Sequence, residues 1–156
     1  MNGVFTTILF GALALLLAIA AVGDLRTRTI PNWLNGAIAL LAIPFWWSIA
    51  LPLWPDILLQ IGVAVAVFGL FALLFQMGAM GGGDVKLVAA LVLWLPLGAV
   101  LNLIIVMSIA GGVLTLIMLV RHRLAKHEHH LEIPYGVAIV LGGFWVLAEP
   151  FLNQFA

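Results

Sequence analysis

The sequence predicts an all-α integral membrane protein with six transmembrane helices and both termini outside the cytoplasm. Three observations carry that expectation. Hydrophobic residues make up 65% of the 156-residue chain and charged residues only 8%, against about 25% charged in an ordinary soluble domain. Apolar runs recur at about the length of a bilayer crossing, divided by short polar or Pro/Gly-bearing connections. The six Lys and Arg residues fall only in alternate connections, as the positive-inside rule demands of one membrane face. A net charge of zero gives no basis for a nucleic-acid partner. The sequence has no Cys, which excludes disulfides, thiolate metal sites and Cys nucleophiles.

The first span covers about Gly3 to Val22 and ends at Asp24. No Lys or Arg precedes it, as the basic start of a signal peptide would require, so it is expected to be a retained helix entering from outside. Asp24 to Ile30 is a short polar connection closed by Pro31, with Asn32 as the expected N-cap of the second span, Trp33 to Leu51. Trp46 and Trp47 lie toward its far end, where interfacial aromatics belong. Pro52, Pro55 and Asp56 make the next turn, and the third span runs from about Ile57 to Met77. The loop Gly78 to Gly83 follows, with Asp84 at its end.

From Leu87 to Val120 no residue is charged. One helix of that length would reach about 51 Å at 1.5 Å per residue, too long for a hydrocarbon core of about 30 Å. Leu95-Pro96-Leu97-Gly98 therefore divides it into a fourth and a fifth span. The fourth, about Asp84 to Leu95, is too short to cross comfortably, which implies thinned bilayer or a watery cavity beside it. Arg121 to Glu132 forms a polar connection. Ile133-Pro134-Tyr135-Gly136 opens the sixth span, which runs to about Leu147. No linker or internal repeat is visible, so residues 1–156 read as one transmembrane domain.

Arg26 and Arg28 follow span one, Lys86 follows span three, and Arg121, Arg123 and Lys126 follow span five. All six belong to one face, assigned to the cytoplasm. The same assignment puts Asp24 and Asp84 at one depth. An acid within a membrane segment costs roughly 2.5–3.5 kcal/mol at a helix centre and so points to function. Two adjacent carboxylates share one proton: the ionised member takes a proton from water while the protonated one polarises a peptide carbonyl. The glycines before Asp84 let an extended peptide backbone come close, and a helix N-terminus favours the ionised acid. Lys86, about 200° round the helix from Asp84, is expected to face elsewhere.

These residues also carry a resemblance. Gly81-Gly82-Gly83-Asp84 fits the GxGD pattern of intramembrane-type aspartyl proteases, and its continuation Val85-Lys86-Leu87 resembles the type IV prepilin peptidases. Asp24, Arg26 and Ile30-Pro31-Asn32 resemble that family's first element, and Pro134-Tyr135-Gly136-Val137-Ala138 is similar to the start of its last helix. The resemblance implies Asp24 and Asp84 as the catalytic pair, with Gly81, Gly82, Gly83, Lys86, Arg26, Pro31, Asn32, Pro134, Tyr135 and Gly136 supporting the site, and no metal or cofactor. It implies a prepilin or pseudopilin substrate, with a basic leader and a hydrophobic N-terminal helix, cut at the cytoplasmic face of the inner membrane. Larger bifunctional members carry an extra cytosolic segment, often with paired Cys, linked to N-methylation of the new N-terminus. The short polar stretch after span one and the absence of Cys resemble the short form found in Tad/Flp pilus systems, which implies no methyltransferase activity.

Other chemistries have less support. His127-Glu128-His129-His130 lacks the spacing of a His-Glu-x-x-His zinc site and suits a solvated basic loop near lipid head groups. Ser48 and Ser108 lie in no Gly-x-Ser-x-Gly context. The competing class is a small ion- or proton-coupled transporter, or a non-catalytic pilus-assembly subunit, in which the acids bind a proton or cation. Transport sites lie near the midplane, whereas these acids are expected at one face.

Overall fold

The computed structural model describes the backbone of residues 3–125 and 133–152 and the side chains of residues 3–122 and 133–149. Among these residues the chain is all helix and connection: α1 (Gly3–Thr27), α2 (Asn32–Ser48), a π-helical turn (Leu53–Ile57), α3 (Leu58–Gln76), α4 (Gly82–Val92), α5 (Leu97–Ala125) and α6 (Tyr135–Leu152). Three segments, Gly3–Thr27, Leu53–Gln76 and Leu97–His122, are long and apolar enough to cross a bilayer. Their large exposed side chains, such as Leu15, Val65, Leu70, Ile105 and Leu116, are apolar, which suits lipid rather than water. The chain is an integral membrane protein.

α4 and α6 form the inside of the bundle. α4 packs against α2, α3 and α6, and α6 against α1, α4 and α5. With neighbours on most sides, α4 buries Val85, Leu87, Val88, Ala90, Leu91 and Val92 as well as Asp84. Helices in lipid gain little hydrophobic free energy from one another and associate through close van der Waals contact, which favours small residues. α6 shows this at Gly142 and Gly143. A Cβ on Gly142 would lie 3.1 Å from Leu103 Cδ1, and one on Gly143 only 2.8 Å from Leu91 Cδ2. On α1 the core stripe Leu9, Leu13, Leu17 and Ala20 continues directly to Asp24, spaced at three and four residues as one helix face requires.

The 11 residues of α4 span about 16 Å at 1.5 Å per residue, half the hydrocarbon thickness. Its C-terminal carbonyls therefore end inside the protein, where water is not at hand and each orphaned acceptor needs another donor. Side chains from two neighbouring helices supply them. Trp46 Nε1 of α2 donates to Leu93 O at 2.8 Å, and Gln60 Nε2 of α3 donates to Val92 O at 2.7 Å and also to Leu95 O. In the opposite direction Trp94 Nε1 donates to Ile38 O of α2 at 2.9 Å.

Several local expectations change. α1 continues through Asp24 to Thr27, because Leu25, Arg26 and Thr27 are compatible with a last helical turn. Pro31, not Asn32, occupies the N-cap position of α2, and no side chain caps it; Asn32 Oδ1 instead accepts from Lys86 Nζ at 2.7 Å. Trp47 is exposed as an interfacial aromatic would be, but Trp46 is buried because its indole N–H serves the end of α4. Arg121 belongs to α5, which extends to Ala125. His127-Glu128-His129-His130 lies outside the described residues. The short fourth helix and a break before the fifth match the sequence expectation, but the break falls at residues 93–96, and Leu97 and Gly98 already belong to α5.

Gln60→Leu removes the donor from two carbonyls at the end of α4. It is expected to destabilise the protein by about 1–3 kcal/mol, the cost of leaving a buried acceptor unpaired. A lowered thermal midpoint in detergent, against an exposed control such as Leu70→Ala, checks this.

Candidate active site

Asp24 and Asp84 come from different helices and line one cavity of about 220 Å³, together with Arg28, Thr29, Ile30, Gly81, Gly82 and Gly83. Both aspartates are buried. Asp24 arrives on the core face of α1, one turn before the helix ends. Asp84 is the third residue of α4, after the extended N-cap Gly81, and its own N–H bonds Gly81 O at 3.1 Å. Its carboxylate therefore sits beside the N-terminal peptide dipoles of α4, which favour negative charge.

α6 closes the far side of Asp24. Val137 N–H donates to Asp24 Oδ2 at 3.2 Å, sharing its hydrogen with Pro134 O at 3.3 Å. The approach needs a glycine at 136, since a Cβ there would lie 2.8 Å from Asp24 Oδ2 and 2.7 Å from Ile30 Cδ1. Gly81 meets the same limit: a Cβ would come within 2.9 Å of Asp84 Oδ2. The glycines on both acids thus bring backbone, which carries donors, where a side chain would only fill space.

The expected supporting residues divide into three groups. Gly81, Gly82 and Gly83 wall the cavity, and Gly136 backs Asp24. Pro134 is buried at the start of α6, and Tyr135 turns toward α5, where a Cβ on Gly111 would meet its ring at 3.4 Å. Lys86, Asn32, Pro31 and Arg26 are exposed and none of them lines the cavity. Lys86 and Asn32 pair with each other on the flank of a separate apolar groove between α2, α3 and α4. Arg26 sits two residues past Asp24 on the same helix, about 200° round it, and so points away.

Three further residues contribute: Ile30, part of the Ile30-Pro31-Asn32 element, Arg28, one of the basic residues after span one, and Asn35, which was not singled out from sequence. Ile30 is buried between the starts of α4 and α6, and a Cβ on Gly83 would lie 3.1 Å from both Ile30 Cβ and Ile30 O. Asn35 Nδ2 donates to Gly83 O at 3.1 Å, fixing the glycine loop to α2. Arg28, rather than Arg26, is the cation at the cavity. A signal for Asn35 was present: an amide inside an apolar span is expensive without a buried task.

A helical membrane bundle with two carboxylates converging on a glycine-walled cavity defines a two-acid membrane site. The chain belongs to the type IV leader peptidase family, whose model matches residues 11–116 and so includes both Asp24 and Asp84. It is 30% identical over 145 residues to the "Prepilin leader peptidase/N-methyltransferase" of Burkholderia pseudomallei strain 1026b, covering 86% of this chain and 43% of that protein. It is 32% identical over 155 residues to the protein of the same name from Xanthomonas campestris pv. campestris, covering 88% of this chain and 49% of that protein. The chain thus spans about half the length of these curated relatives. No solved structure matches it.

Gly136→Ala would place a methyl group on the Asp24 carboxylate and is expected to lower stability by about 1–3 kcal/mol through overpacking. Gly112→Ala, which meets open space, is expected to leave the thermal midpoint unchanged. Equal midpoints for the two variants would contradict the contact between α6 and Asp24.

Proposed function

We propose that the chain is a membrane aspartyl endopeptidase that removes the basic leader from prepilins or pseudopilins. The observation that carries this is the convergence of Asp24 and Asp84 on one glycine-walled cavity in a member of the type IV leader peptidase family. The relatives' names supply the substrate class. The peptide would lie extended along Gly81 to Gly83, with the bond to be cut between the two acids. The ionised aspartate takes a proton from a water molecule as that water's oxygen bonds to the peptide carbonyl carbon. The protonated aspartate hydrogen-bonds to, and then protonates, the carbonyl oxygen. Collapse of the tetrahedral adduct breaks the C–N bond: one of its hydroxyls returns a proton to the aspartate that had protonated the carbonyl oxygen, and the amine leaves with the proton the other aspartate took from water. Atoms and protons balance with no covalent enzyme intermediate.

The finer topology belongs to the same proposal. Residues 1–156 act as one domain of six spans in the inner membrane, α2, α4 and α6 crossing with the three long segments. The connections that carry Arg26, Arg28 and Lys86 face the cytoplasm and bring both acids to that face, with the termini opposite. Methyl transfer is not proposed for this chain. The α1–α2 connection is only the four residues 28–31 and no Cys is present, as in the short form the Tad/Flp pilus peptidases represent.

Asp24→Asn and Asp84→Asn keep side-chain size and remove the acid. Each is expected to lower leader removal from a co-expressed prepilin by at least about 10²–10⁴-fold, the usual worth of a positioned acid or base, at normal levels of membrane-inserted protein. Mass analysis of the pilin reads both leader loss and any added methyl group. Cleavage retained in either variant removes the dyad, and a methylated product removes the short-form assignment.

A further inference from the structure

Arg28 combines two unfavourable features at the edge of the cavity. It ends α1 in the left-handed conformation, with φ of 56°, its N–H bonded to Asp24 O at 3.0 Å. Glycine is the usual occupant of that helix-ending position because a Cβ is strained there. The guanidinium Nη1 is also fully buried and has no hydrogen-bond partner among the described residues, although buried donors are nearly always paired. Neither feature is needed to end a helix, which Gly would do better. Neither is needed to set membrane orientation, since exposed Arg26 supplies a positive charge at the same helix end. Strain and an unpaired donor held together beside two acids indicate a group kept for a ligand.

We propose that Arg28 contacts the substrate, its Nη1–H donating to the main-chain carbonyl oxygen at the bond being cut; this rests on the peptidase reading above. A guanidinium only donates, and a peptide main chain offers the acceptor that the cavity itself leaves missing. The glycine wall and Arg28 border the same 220 Å³, so a strand laid on Gly81 to Gly83 passes within the cavity that Arg28 lines. A fixed donor at an oxygen that gains negative charge during water attack is worth more in the transition state than in the bound substrate. The motif-matching Arg26 has no such access.

The test uses the full chain in detergent with a purified prepilin, measuring kcat/KM and the thermal midpoint together. Arg28→Gly removes the donor and relieves the left-handed strain. It is expected to cut kcat/KM by about 10–100-fold, the loss of one charge-assisted hydrogen bond, with a midpoint at or above that of the wild type. Arg28→Lys keeps the charge without the planar fork and is expected to lose at least about 10-fold as well. Wild-type kcat/KM in Arg28→Gly overturns the contact. A lowered midpoint in Arg28→Gly makes the residue structural and overturns it too, and full activity in Arg28→Lys reduces its part to charge alone. Failure of the underlying reading would show separately, as a wild-type chain that does not cleave prepilin.

Discussion

A carboxylate can be held at the end of an apolar helix only if backbone donors reach it, and here the reach is made by α6. The hydrogen bond from Val137 N–H to Asp24 Oδ2, at 3.2 Å, joins the end of α1 to the start of α6 across 113 residues of sequence. It requires Gly136 to sit where any side chain would strike the acid. It also requires α6 to pack closely between α1, α4 and α5, which Gly142 and Gly143 permit. Asp84 is then brought to the same cavity by α4, whose position against α6 follows from that packing. The site and the interior of the bundle are one construction.

The shortness of α4 has the same logic at its other end. A helix of only 11 residues that begins beside the acids ends among buried side chains and leaves its last carbonyls in a dry interior. Trp46 and Gln60 meet that need from α2 and α3. Among the described residues, the polar side chains that serve α4 fall into two sets: the buried acids and Asn35 at one end, and the donors Trp46 and Gln60 that close its other end. Each set makes the other necessary, because a full-length helix in place of α4 would need no closing donors and would not start beside a cavity.

Much of this was legible in the sequence, for a physical reason. A membrane imposes a length on every apolar run, so the short α4 and a break before α5 could be read from spacing, and the meeting of Asp24 and Asp84 from their places at helix ends. Contacts that depend on packing angle could not. Trp46 and Trp47 are neighbours in an aromatic pair, and only the crossing of α2 over α4 decides that one indole is interior and the other faces out. Arg26 and Arg28 flank the end of α1, and only the left-handed turn at Arg28 decides which of them meets the cavity. Ile30 is marked in sequence only as part of the Ile30-Pro31-Asn32 element, and its place between Gly83 and Gly136 exists only after α4 and α6 come together.

The central claim, that Asp24 and Asp84 share one cavity, can be measured directly because the sequence contains no Cys of its own. A chain carrying Asp24→Cys and Asp84→Cys, treated in native membranes with a short bifunctional thiol reagent, is predicted to yield peptides of α1 and α4 linked within one molecule, detected by mass spectrometry. Thiols that each react singly, with no link between the two helices, would contradict the account.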